Sequence, residues 1–77
     1  MLLKDVSVDK VYMVIELKVN DSIKRRLQAL GMIHNTKLKI LNCKKNGAVI
    51  FSVRGTRLAV GHNISEKIVV KECEMDG

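Results

Sequence analysis

The side chains in this chain that could do chemistry are two thiols, two imidazoles and two short groups of bases. Cys43 and Cys73 are the only cysteines. They are too few and too far apart for a Cys-x-x-Cys metal pattern, and Cys43 is expected as a small apolar residue of the core. Cys73 falls in an acidic C-terminal stretch and is expected to be exposed. His34 and His62 lie in predicted turns, without helical His-x-x-x-His spacing and without a second ligand nearby in sequence. A metal site needs several convergent donors. A small transition-metal carrier using His62, Cys43 and the tail carboxylates is therefore a lesser expectation, and no cofactor is expected. The sequence holds no nucleophile elbow, phosphate-cradling glycine loop or paired-carboxylate pattern, which argues against an enzyme. What remains is the bases: Lys24, Arg25 and Arg26 in one run, Arg54 and Arg57 in another.

Those bases belong to a chain of net charge +6. The last six residues, ECEMDG, hold Glu72, Glu74 and Asp76 and no base, so residues 1–71, with 14 basic and 5 acidic side chains, carry +9. Such a body attracts nucleic acid, an anionic membrane surface or an acidic protein face. The bases run from Lys4 to Lys71 without forming one dense stripe, and Tyr12 and Phe51 are the only aromatics. Barrels that bind nucleic acid stack bases on aromatic side chains, and those that bind proline-rich peptides line a groove with them. Binding of nucleic acid is kept as an alternative; an acidic protein partner is preferred.

The elements that must position these residues are short. At 77 residues the chain is one domain that buries only about 60–65% of its unfolded surface. Apolar runs stay below the roughly 18 residues of a membrane span, and Lys4, Asp5 and Asp9 stand where a signal peptide would be apolar, so the expected location is the cytoplasm. Asn20 or Asp21 caps a helix whose stripe is Ile23, Leu27 and Leu30, and Gly31 closes it with Met32 folding back on Leu27. The basic run lies in the first turns of this helix, where the positive end of the dipole disfavours it by a few tenths of a kcal/mol per charge.

Strands account for the rest. Val11, Met13, Ile15, Leu17 and Val19 alternate with Tyr12, Val14, Glu16 and Lys18, which predicts a long first strand with the former set inward. Leu38 and Ile40 begin a second strand, in which a bulge near Ile40 or Leu41 would return Cys43 to the core side. Asn46-Gly47 predicts a type I′ hairpin, followed by Val49, Phe51 and Val53. Arg54-Gly55-Thr56 is a further tight turn before Leu58 and Val60. Ile64 to Lys67 gives one helical turn with Ile64 inward, and Ile68, Val69 and Val70 form the last strand. The expected domain is 1–71, with 72–77 a flexible acidic tail. Five strands and one helix between the first two predict a mostly β, partly open antiparallel barrel.

RRLQALGMI after the first strand, then VIFSVRGTRLAV and a closing IVV, in this order, resemble the FeoA family of ferrous iron transport proteins, from about Val8 to Val70. The family commonly has Pro-Gly where His34-Asn35 stands here, and Asn keeps the left-handed turn accessible. The resemblance implies an SH3-like barrel and a non-enzymatic cytoplasmic accessory of a membrane ferrous iron permease that carries a GTP-binding domain. On that reading Lys24, Arg25, Arg26, Arg54 and Arg57 are the expected partner-binding residues.

Overall fold

The computed structural model describes residues 1–73. A 3-10 turn (Leu3–Asp5) precedes β1 (Val11–Leu17), α1 (Asp21–Ala29), β2 (Lys37–Cys43), β3 (Val49–Val53), β4 (Thr56–Val60), the single-turn α2 (His62–Ser65) and β5 (Ile68–Cys73). The strands form one antiparallel sheet in the order β4-β3-β2-β1-β5. β4 and β5 are its outer strands, so the expected five-stranded, partly open barrel with a helix after the first strand is what the chain forms.

β1 reverses the expected phase. Tyr12 and Val14 are buried, whereas Val11, Met13 and Ile15 are only half-buried. Both faces of this strand are apolar, so alternation alone does not choose between them. An aromatic ring buries about 150–250 Å², and the Ser7 backbone N–H donates to the Tyr12 hydroxyl at 2.9 Å, which offsets the cost of taking that oxygen inside. The register against β5 then slips between Val14 and Glu16. This bulge at Ile15 brings Leu17 back to the core as expected.

β2 follows its expected path. Leu38 and Ile40 are buried, the register against β3 slips between Ile40 and Asn42, and Cys43 returns to pack on the core. Val49, Phe51 and Val53 are fully inside. The two hairpins exchange character. Only Gly47 of Asn46-Gly47 has a positive φ, and the loop closes through Gly47 N–H to Lys44 O and Lys44 N–H to Ala48 O. The type I′ geometry is instead found at Arg54 (φ +51°) and Gly55 (φ +80°), between the paired residues Val53 and Thr56.

The N-terminus and the end of β5 pair further than the sequence suggests. Leu3 and Val6 are buried, Leu2 bridges to Val69, and Val70 N–H donates to Met1 O at 2.7 Å, so the N-terminus lies along the outer side of β5. Val8, expected as a contact, is exposed. β5 does not end before residue 72: Glu72 and Cys73 pair with Tyr12 and Val11, and Glu72 lies 3.4 Å from Lys10. Residues 72 and 73 of the expected tail thus belong to β5, and its remainder, 74–77, lies outside the described residues.

Candidate docking surface

α1 is capped at its start by the Asn20 side chain, which accepts from the Ile23 N–H at 2.9 Å. At its end Gly31 N–H donates to Gln28 O and Met32 N–H to Leu27 O, both at 3.0 Å, with Gly31 at φ +108°. This double closure fixes the exit and sends Met32 into the core. Asn35 then takes the left-handed conformation at φ +72°, which asparagine tolerates.

Of the helix stripe, only Leu27 is buried. Ile23 packs partly on the core, and Leu30, expected inside, is 43% exposed. A nine-residue helix joined to the sheet by one buried side chain leaves an open seam beside it. That seam is a groove of about 310 Å³ lined by Ile23, Arg26 and Leu27 of α1 and its C-cap Leu30, by Leu58 to Val60 of β4, and by Gly61 and Ile64. The signal missed in the sequence was the exposure of Leu30 and the half-burial of Leu58 and Ile64, all of which read as core.

The five predicted bases do not form one cluster. Arg26 lines the groove, and Arg57 is exposed on β4. The stem of Arg54 lies across Gly31, where an added Cβ would come within 2.9 Å of its Cδ, so the β3–β4 turn sits against the C-terminal end of α1. Arg25 points to solvent. Lys24 faces the other side of the helix, on a smaller hollow with Glu16, Gln28 and His34. Among the described residues, none of the five makes an ion pair.

The remaining candidate ligands have local partners. His34 Nδ1 donates to the Ile15 carbonyl at 2.8 Å and so satisfies the bulge of β1. His62 Nε2 stands 3.0 Å from Glu66 Oε2 and its ring covers Gly47, where an added Cβ would collide with Nδ1. Cys43 is half-buried with its thiol directed at the Val6 carbonyl at 3.4 Å, and burial pushes its pKa up, which disfavours the thiolate. Cys73, expected to be exposed, is half-buried on β5. Ser65, unnoticed in the sequence, is fully buried; its hydroxyl donates to Gly47 O at 2.7 Å and ties α2 to the β2–β3 loop. Among the described residues no group of three or more His, Cys, Asp or Glu side chains is placed to hold a metal ion. No helix among them is long and apolar enough to cross a membrane.

Comparison with known proteins decides the family. The FeoA domain model matches residues 1–72. The chain belongs to the FeoA family. An Fe(2+) transport protein A of Methanocaldococcus jannaschii is 36% identical over 53 residues, which cover 69% of this FeoA-family chain and 63% of the relative. The chain thus matches less than two thirds of that relative's length. The solution structure of a Chlorobium tepidum FeoA protein superposes over all of this chain and 74% of its own, with a TM-score of 0.87 and 26% identity. A Stenotrophomonas maltophilia FeoA, described as a prokaryotic SH3 domain protein and crystallised with zinc, has a TM-score of 0.78 at 24% identity, covering 92% of this chain and 89% of its own. The SH3-like fold expected from sequence is the fold of these neighbours.

Proposed function

We propose that this FeoA-family protein is a non-enzymatic accessory of ferrous iron uptake that works on the cytoplasmic side. It docks on the GTP-binding part of a membrane iron permease and supports that transporter's assembly or activity. The observation that carries the proposal is the α1–β4 face. An apolar groove lies open between helix and sheet, with Arg26 in its wall and Arg57 beside it, and neither charge is used in an ion pair within the described residues. A protein surface with acidic residues around apolar ones complements it in both respects. Arg54, held over Gly31, adds a further cation at the end of the same helix. Arg25 adds charge from the helix's solvent side, and Lys24, turned toward the opposite hollow, contributes to the field more than to contact.

The nucleic-acid alternative loses support from burial. Tyr12 and Phe51, the only aromatics, are 1% and 0% exposed, so neither ring is free to stack on a base. Isothermal calorimetry with the permease's soluble GTP-binding domain tests the docking proposal. Saturable binding that weakens as salt is raised supports it; no heat of binding at low salt removes it.

A further inference from the structure

Sheet edges attract other strands, and natural sheets protect them with proline, bulges, charge or a covering segment. The β5 edge of this sheet is covered by the N-terminus, through the Leu2–Val69 bridge and the Met1 carbonyl. Among the described residues β4 has no such cover. It contains no proline, its register with β3 is continuous from Val49↔Val60 to Val53↔Thr56, and its exposed charge is Arg57.

The two-residue turn at Arg54-Gly55 decides which groups of β4 face outward. Val53 and Thr56 flank it as a hydrogen-bonded pair, so Phe51–Leu58 and Val49–Val60 are also bonded pairs, and Ser52–Arg57 and Ile50–Ala59 are not. The N–H and C=O groups of Arg57 and Ala59 therefore point away from β3. Both residues are exposed, and neither has a backbone partner on that side among the described residues. This row of free donors and acceptors borders the groove, in which Ile23, Leu30, Leu58 and Ile64 present partly exposed apolar surface.

We infer that β4 accepts an extended segment of the partner protein as a sixth strand, with apolar side chains alternating with acidic ones. The inference rests on the docking proposal and specifies how docking occurs. A strand added about 4.8 Å from β4 sends alternate side chains to opposite faces. One set enters the groove between β4 and α1, where only apolar groups replace water favourably. The other set faces outward beside Arg57, and Arg26 stands in the groove wall, so acidic residues flanking the apolar ones are the matching chemistry. A second copy of this chain is a poorer occupant. The register that pairs all four outward groups is centred on Leu58, and it makes the two Arg57 residues diagonal neighbours on one face, between molecules of net charge +6.

Amide exchange measured by NMR tests the inference on the intact chain. The probe is a seven-residue synthetic peptide alternating glutamate with leucine, alongside the same peptide N-methylated on the residues facing β4. The unmodified peptide is expected to slow exchange at the Arg57 and Ala59 amides by about tenfold or more at saturation and to leave the Leu58 amide, already bonded to β3, unchanged. The N-methylated peptide is expected to leave all three unchanged, and Leu30→Glu, at an exposed position, to weaken the unmodified peptide at least about tenfold. Peptide binding without protection at Arg57 and Ala59 overturns the added strand. Protection that rises with protein concentration alone overturns it in favour of self-association. With the permease domain as ligand, binding without edge protection removes this inference and spares the docking proposal. Protection by peptide with no binding of the permease domain does the reverse.

Discussion

Replacing Gly31 by alanine should destabilise the protein and loosen the wall of the groove at once. Gly31 ends α1 at φ +108°, and an added Cβ would lie 2.9 Å from Cδ and 3.3 Å from Cγ of Arg54. A left-handed conformation costs an L-residue roughly 1–2 kcal/mol, and +108° lies beyond the usual left-handed centre near +57°, so the upper end of that range applies. The Arg54 stem is exposed and can swing aside, so its displacement adds little energy but frees the β3–β4 turn from the helix end. For a domain of this size about 2 kcal/mol corresponds to a fall in Tm of roughly 8–16 °C. Thermal unfolding followed by circular dichroism measures it, with Arg54→Ala and the double variant completing a cycle. If backbone strain dominates, Arg54→Ala restores little of the loss and the coupling stays within about 0.5 kcal/mol. A Tm for Gly31→Ala within about 2 °C of the parent, or full rescue by Arg54→Ala, would refute this account of the helix end.

Other consequences can be checked separately. Ser65→Ala removes the 2.7 Å donor to the half-buried Gly47 carbonyl from a fully buried side chain and should cost about 1 kcal/mol in urea unfolding. Cys43 should alkylate slowly at neutral pH, because burial raises its pKa above the ordinary 9.0 and keeps the thiol protonated. By the same sign, its contribution to stability is complete below that ordinary value and is lost as pH rises through the higher folded-state pKa, so Cys43→Ala should flatten the alkaline fall in Tm. His34→Ala removes the 2.8 Å donor to the Ile15 carbonyl and should cost about 1 kcal/mol of unfolding free energy. The Arg26→Glu, Arg57→Glu pair should leave Tm nearly unchanged and weaken binding of the permease's soluble domain at least about tenfold.

Much of the fold could be read from the chain because its punctuation is local. Gly31 and the run Leu38-Lys39-Ile40 each carry a single favoured geometry, the cap expected at Asn20 or Asp21 is made by Asn20, and the bulge expected near Ile40 or Leu41 from Cys43 needing a side falls between Ile40 and Asn42. Where two readings were locally equal, tertiary contact chose. In β1 the run from Val11 to Ile15 is apolar on both faces, and Tyr12 settled the phase by its size and by the bond from Ser7. Asn46-Gly47 is suited to a type I′ turn, but the loop accommodates an extra residue and places only Gly47 at positive φ, under the His62 ring. The groove was the least legible feature. Leu30, Leu58 and Ile64 are ordinary core residues by type, and only the stand-off of α1 from β4 makes them a surface.

The most direct test of docking through this face is to map amide chemical shifts of the labelled chain as the permease's GTP-binding domain is added. Perturbations concentrated on Ile23, Arg26 and Leu30 and on Arg57 to Gly61 are the predicted result. Perturbations confined to the separate hollow formed by Lys4, Asp5, Lys45, Asn46 and His62, with α1 and β4 unmoved at saturation, would contradict it.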